Sequence, residues 1–322
     1  MKLHSGRPSP LQNLPVLVTG GSGFVGSHLA SRLAAAGAEV RALVRRRGDH
    51  PGLGSPNVTQ MEGDFVDPAT ARRACDGMAL VVHGAATIGS DLAEARRVNA
   101  GGTAALAAAA REAGCRRFIH VSTISVYDWE RGGSVVDETA PLKTIEKPYP
   151  HTPAAAPYYG LTKAEAERAL QAEMDRGLAA TILRLGAVMG VHPTSSWAVL
   201  VPAKIRQGQV SLAGGSALPW THVENVGLAM ELALTHPAAS GRAYNVVDGH
   251  VPWRRYVEDV RSWFPDAPPA PGAEEPEKPA GSFVGRCSSD RIRAELGYAP
   301  LRSYEDGMAE AAAWWAKAPR KP

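Results

Sequence analysis

The chain has 322 residues, 44% of them hydrophobic and 21% charged, which is the balance of a globular protein with one large domain and room for a smaller appendage. Its net charge is only +3 and no dense Lys/Arg run is present, so no nucleic-acid partner is implied. No apolar run reaches membrane-spanning length, and three cysteines (Cys75, Cys115 and Cys287) at no metal or redox spacing predict a reducing, cytoplasmic setting without disulfides.

Residues 1–14 carry Pro8 and Pro10 and no apolar signal core, so they are expected to be a short leader. Val16–Val18 then reads as a buried strand, and Phe24–Ala36 as a helix stopped by Gly37. Strands are predicted at Val40–Val44, at Val58–Met61, where the signal is weaker, and at Leu80–Val82. The Ala-rich stretch Gly102–Ala113 is a helix closed by Gly114, and Arg117–Val121 is the next strand. Residues 128–157 form a long, proline-containing connection, a length often reserved for function. Tyr159–Arg176 is a long helix, and Ala180–Leu185 a sixth strand. This alternation predicts an α/β fold with a doubly wound parallel sheet. Beyond it the pattern is less regular. Helices are expected at Ser195–Gln207, Val223–Leu234, Arg291–Leu296 and Tyr304–Lys317, a strand at Ala243–Val247, and an exposed loop at Pro265–Pro279.

Between the first strand and first helix lies Thr19-Gly20-Gly21-Ser22-Gly23-Phe24-Val25-Gly26. Gly20 permits a tight turn, Gly23 lets the backbone approach a pyrophosphate, and Gly26 lets the helix pack on the sheet. The helix N-terminus offers unpaired N–H groups to the anion. Where the second strand ends, Arg45 stands in place of the acid that would accept from a ribose hydroxyl. A guanidinium fork suits a 2′-phosphate, so NADP(H) is favoured, with NAD(H) still possible. Ser22 and Arg46 are candidate helpers; a solvated basic cluster is the plainer alternative. After the third strand, Asp64 can accept from an adenine amino group, while Asp67-Pro68 reads as a helix start.

Tyr159 and Lys163 are four apart and share one helix face. A neighbouring ammonium favours the phenolate, so Lys163 can tune Tyr159 as a general acid or base. Thr123, at the carboxyl end of the fifth strand, can donate a hydrogen bond to a substrate oxygen. Each feature alone has a bland structural explanation; the three together, in this order, point to carbonyl–alcohol chemistry. His83 and His222 have no partner at ligand spacing, so both are expected to be structural and no metal is predicted. Trp129, Trp197, Trp220 and Trp253 are candidate pocket walls, although core packing is the commoner role.

With these motifs the chain resembles the extended short-chain dehydrogenase/reductases, the epimerase/dehydratase family. The resemblance rests on Thr19 to Gly26, Asp64, His83-Gly84-Ala85-Ala86, Val98-Asn99 with Gly102-Thr103, Val121 to Tyr127, Tyr159 with Lys163, and Leu183-Arg184-Leu185-Gly186. It continues through Trp220 to Val226, Tyr244-Asn245-Val246 and Glu295 to Pro300. It implies a Rossmann domain over 15–185, with segments near 220–248 returning to it, and a substrate-binding part over 186–219 and 249–318. It implies Thr123, Tyr159 and Lys163 as the catalytic triad. It also implies cofactor contacts from Gly20, Ser22, Gly23, Phe24, Val25, Gly26, Arg45, Asp64, Phe65, Gly84, Ala85, Ala86, Asn99, Tyr159, Lys163, Leu185 and Gly186. Ala42-Leu43-Val44-Arg45 is similar to the NADP-using dihydroflavonol-reductase branch. Homodimerisation through the helices beginning near Asn99 and Tyr159 is implied as well. The sequence departs from the sugar-nucleotide dehydratases of the family at Ile124-Ser125, where they carry Asp-Glu; from the usual Pro-Gly at Leu185-Gly186; and from the usual Gly at Asp128. The expected function is NADP(H)-dependent reduction of a carbonyl on a small molecule, or the reverse oxidation. A sugar-nucleotide epimerase with bound NAD is the alternative, and a non-catalytic dinucleotide sensor the remote one.

Overall fold

The computed structural model describes residues 9–129, 131, 134–144, 156–212, 217–272 and 285–317. In chain order the strands are β1 (Pro15–Thr19), β2 (Glu39–Val44), β3 (Val58–Glu62), β4 (Leu80–His83), β5 (Arg117–Thr123), β6 (Val135–Val136), β7 (Ala180–Leu185), β8 (Ala187–Met189), β9 (Leu218–His222), β10 (Arg242–Val246), β11 (Gly249–Val251) and β12 (Arg286–Cys287). The α-helices are α1 (Phe24–Ala35), α2 (Pro68–Cys75), α3 (Leu92–Ala95), α4 (Gly102–Glu112), α5 (Tyr159–Met174), α6 (Val201–Arg206), α7 (Val223–Thr235), α8 (Trp253–Arg261), α9 (Asp290–Leu296) and α10 (Tyr304–Lys317). A π-helical stretch, Arg96–Gly101, leads into α4, and another, Ser196–Leu200, leads into α6.

Seven strands form one parallel sheet in the order β10-β7-β5-β4-β1-β2-β3. β4 and β7 are buried along their whole length, as strands covered on both faces must be. β3 is the exception. It lies at the sheet edge and mixes half-buried with exposed residues, which explains its weaker apolar signal. One face carries α1, α7 and α9, with Leu29, Leu33, Val226 and Ile292 in its core. The other carries α2, α4 and α5, with Ala71, Leu106 and Leu170. The sheet reverses its winding between β1 and β4, and ligand crevices form at such a reversal beyond the carboxyl ends of the strands.

Beside this sheet stands a second, three-stranded one, β11-β9-β8. Its core holds Trp220, Tyr256, Val257 and Tyr304, with Trp197 and Trp253 packed against it. Trp129 is buried with Tyr127, Ile124 and Val136. All four tryptophans therefore pack within apolar clusters. Asn225 ties the two regions together: its Oδ1 accepts from the N–H groups of Leu301 and Arg302, and its Nδ2 donates to Asp248 and the Arg302 carbonyl. His222 caps α7 through the Glu224 N–H and contacts Glu310 of α10 at 3.0 Å, the structural role its sequence context predicts.

Two expectations need adjustment. The Ser195–Gln207 helix is a π-helical turn followed by α6. The loop after β5 contains β6, which pairs with β12; its residues 145–155 lie outside the described residues, as do 1–8 of the leader. Of Pro265–Pro279, residues 265–272 carry neither helix nor strand, and 273–279 lie outside the described residues.

Candidate active site

The glycine turn and the β4 end meet at the sheet's reversal. Gly20 has φ +73°, and a Cβ there would stand 2.9 Å from the Ala85 nitrogen. A Cβ on Gly26 would strike the Gly20 carbonyl. Helix α1 has no side-chain cap, so its first-turn N–H groups face the crevice for an anion to accept from. The Phe24 ring turns away and packs on His28 and His192, which leaves Phe24 and Val25 only their backbone to offer. Next to the turn is a cavity of about 850 Å3 lined by Ser22, Arg45, Arg46, His50, Glu62, Gly63 and Asp64. The cradle fits the pyrophosphate of a dinucleotide, and the adjoining cavity brings two guanidinium groups, Arg45 and Arg46, beside two carboxylates, Glu62 and Asp64. Asp64 accepts from the Val66 N–H and lines the cavity, and Asp67 caps α2 through Ala69 and Thr70, the helix start its spacing predicts. The Phe65 ring packs beneath Gly102 and against His83.

At the β4 end, Gly84 and Ala85 bond back to Thr19, and Ala86 is exposed. Asn99 is fully buried. Its amide binds both main-chain groups of Thr87 and the Thr162 hydroxyl. The side chain thus braces the crevice wall, with both amide N–H donors engaged within the protein. Leu185 is buried, and a Cβ on Gly186 would lie 2.7 Å from the Pro219 carbonyl. Glycine is what lets β7 pass into β8 beneath β9.

Thr123 ends β5, and Tyr159 and Lys163 lie on the first turns of α5, which packs against that strand end. Gly160 makes this possible, because a Cβ there would strike the Ser125 carbonyl. The first turn of α5 therefore rests directly on the chain following Thr123. Thr123 Oγ1 accepts from the Ser125 N–H at 3.1 Å, and its O–H has no acceptor among the described residues. Enclosure pushes the Tyr159 phenol up to about 12. Lys163 is buried, and desolvation pulls its ammonium down to about 7, with Glu167 opposing. Its Nζ lies 2.9 Å from the Val121 carbonyl and 3.0 Å from His120 Nε2.

Behind this group is a network that sequence reasoning missed. Glu167, one turn beyond Lys163, takes a two-pronged bond from Arg184 of β7 and one from Ser122. Arg184 also donates to the Tyr127 hydroxyl, which donates to Asn245. Neither Gly160 nor His120 was marked by spacing either; a glycine beside the candidate tyrosine and a histidine inside an apolar strand were the available signals.

His83 is buried with Nδ1 2.7 Å from Thr19 Oγ1 and Nε2 3.0 Å from Thr103 Oγ1. Burial, reinforced by Lys163, holds it down at about 3. His120 is held well below its ordinary value by burial, Lys163 and His83. Both imidazoles stay neutral when folded but take up a proton near 6.5 when unfolded. Their contribution to stability is complete above 6.5 and is lost as pH falls, at about 1.4 kcal/mol per pH unit for each fully depressed group. The urea midpoint is expected to fall between about pH 6.5 and 5, above most carboxylate titrations. A flat midpoint over that window would contradict two neutral buried imidazoles. Among the described residues no three metal-ligating side chains converge, and no helix is long and apolar enough to cross a membrane.

A parallel sheet reversing at a glycine turn, with a Tyr/Lys helix across the next crevice wall, defines an extended short-chain dehydrogenase/reductase enzyme. The model of the NAD dependent epimerase/dehydratase family matches residues 16–247, and the chain belongs to that family. It is 33% identical over 235 residues, covering 72% of this chain and 67% of the relative, to a 4-hydroxy-2-methyl-3-oxo-4-farnesyl-3,4-dihydroquinoline-1-oxide ketoreductase of Stigmatella aurantiaca. It is 32% identical over 259 residues, covering 77% and 74%, to a 2-alkyl-3-oxoalkanoate reductase of Stenotrophomonas maltophilia (strain K279a). The fold superposes on UDP-glucose 4-epimerase of Thermotoga maritima with a TM-score of 0.78, at 21% identity over 94% of this chain and 99% of the other.

Proposed function

We propose that the protein reduces a ketone on an apolar, 3-oxoacyl-like substrate with NADPH, using Tyr159, Lys163 and Thr123. The observation that carries this reading is the seating of the first turn of α5, which holds Tyr159 and Lys163, against the chain just after Thr123, where a Cβ on Gly160 would strike the Ser125 carbonyl and Lys163 Nζ lies 2.9 Å from the Val121 carbonyl. The ketone reductions named for the two sequence relatives support the substrate class, and Ile124-Ser125 lacks the acid pair of the dehydratases.

A bound nicotinamide supplies hydride to the carbonyl carbon. The protein does the rest. Thr123 donates its free hydroxyl hydrogen to the substrate oxygen and holds it. Tyr159, protonated through the neutral range, gives its proton to that oxygen as charge develops. The Lys163 ammonium steadies the phenolate left behind and offers an N–H to the cofactor ribose. Residues 186–219 and 249–318 supply the substrate-binding part. The half-buried Ala104, Ala105 and Ala108 on α4 give a smooth face for pairing with a second copy.

The test is a panel of 2-alkyl-3-oxo esters, long-chain ketones and UDP-hexoses, read by NADPH absorbance. Oxidation of NADPH with the 3-oxo compounds is expected. Interconversion of UDP-hexoses without net loss of NADPH would overturn the reading.

The phosphate preference is separable. Arg45 is exposed at the cavity beside Ser22, Arg46 and His50. Arg45→Asp is expected to weaken NADPH binding by roughly 10- to 100-fold, one charge-assisted contact and its reversal, while NADH binding holds or improves. Fluorescence titration measures both; equal losses for the two cofactors would remove Arg45 from phosphate recognition.

A further inference from the structure

His120 is wholly buried on β5, in a strand where an aliphatic residue would complete the core. Its Nε2 lies 3.0 Å from Lys163 Nζ, and its Nδ1 has no partner among the described residues. A buried imidazole with one nitrogen unsatisfied is costly, so the nitrogen that is satisfied is where its use is to be sought. The groups around the pair are few. His83 of β4 stacks obliquely on His120, with ring centroids 5.3 Å apart, and both its nitrogens are engaged by Thr19 and Thr103. Tyr159 and Glu167 flank Lys163 along α5, and Arg184 of β7 is locked to Glu167. None of these accepts a hydrogen bond from the lysine.

We propose that His120 is a positioning residue, whose Nε2 seats the Lys163 ammonium at the β5 end so that it faces Tyr159 and the cofactor ribose. The proposal rests on the role given to Lys163 above. An ammonium has three N–H donors. Val121 O takes one and His120 Nε2 a second, which fixes the direction of the third. For Nε2 to accept, the imidazole proton must sit on Nδ1, the nitrogen found without a partner. The unsatisfied N–H is then the cost of presenting a bare Nε2 to the lysine. When Lys163 loses its proton, this constraint lapses: the imidazole proton can move to Nε2 and donate to the amine. The tautomer of His120 thus reports the charge on Lys163, while the ring itself stays neutral.

Two measurements on the full-length protein test this. Nitrogen NMR of the histidine rings, with the His120 signals assigned by their loss in His120→Phe, is expected to show a bare Nε2 and a protonated Nδ1 at about pH 6. That pattern should shift toward Nε2–H as pH rises through the lysine's titration, and the shift should vanish in Lys163→Met. A proton on Nε2 at about pH 6 would overturn the proposal. Second, NADPH binding by fluorescence is expected to weaken about 5-fold in His120→Phe, the value of one hydrogen bond. The pH above which affinity declines should move down by about one unit, because the charged lysine has lost an acceptor. His120→Gln, which places an amide oxygen near the old Nε2, should restore both. Weaker binding with an unmoved pH midpoint would reduce His120 to a packing residue. Lys163→Met separates the two readings. If it leaves NADPH binding unchanged, the role of Lys163 fails; if it weakens binding while His120→Phe does not, only the role of His120 fails.

Discussion

Tyr159→Phe is expected to lower turnover by roughly 100- to 10,000-fold, the usual worth of a positioned proton donor. NADPH affinity should stay within about twofold, since the change removes one oxygen and no packing volume. The reasoning is local. Enclosure pushes the Tyr159 phenol up to about 12, so near neutrality the side chain carries the proton the reaction needs. Phenylalanine keeps the ring at the first turn of α5 and takes away only that proton. Stopped-flow absorbance with a 3-oxo ester, beside fluorescence titration of NADPH, separates chemistry from binding. Turnover within tenfold of the parent protein would remove Tyr159 from proton transfer.

The second large effect concerns stability. Glu167→Ala is expected to cost about 3–5 kcal/mol, because it strands the Arg184 guanidinium in the interior. Both side chains are nearly sealed from solvent, at 3% and 7% exposure, and their closest approach is 2.7 Å. Burial opposes the Arg184 charge, and Glu167 with Tyr127 outweighs it. In a chain of this size the thermal midpoint should drop by about 10 °C. Replacing both partners by apolar residues, Glu167→Leu with Arg184→Met, should recover much of the loss, since no buried charge is then left alone. Calorimetry of the two single variants and the double variant completes the cycle. A double variant as unstable as the sum of the singles would mean the pair does not act as a unit.

The parts of the molecule that announced themselves in the sequence are those governed by short-range rules. Gly20, Gly23 and Gly26 mark a turn between a buried strand and a helix. Tyr159 and Lys163 sit one helical turn apart, and Asp67-Pro68 starts α2 as capping chemistry requires. The α8 helix was missed although Trp253, Tyr256, Val257 and Val260 have helical spacing and pack inward; the interleaved charges of Arg254, Arg255 and Glu258 hid it. β8, β9 and β11 are three to five residues each and exist only because they pair with one another, which no local pattern records. The Glu167–Arg184 pair, Tyr127 with Asn245, and His120 beneath Lys163 depend on distant segments meeting at one depth in the fold. Asn99 stands in a recognisable motif, but its bonds to Thr87 and Thr162 could be seen only once those segments met in the fold.

Gly160 has a consequence for how such a protein can diverge. On the proposed reading, the spacing between the Tyr159 phenol and the Thr123 hydroxyl is set by one stretch of main chain lying directly against another. Walls of the pocket can therefore be rebuilt, residue by residue, to admit new molecules without altering the reach of the reacting groups. The chemistry is anchored in backbone, and the choice of substrate is left to everything else.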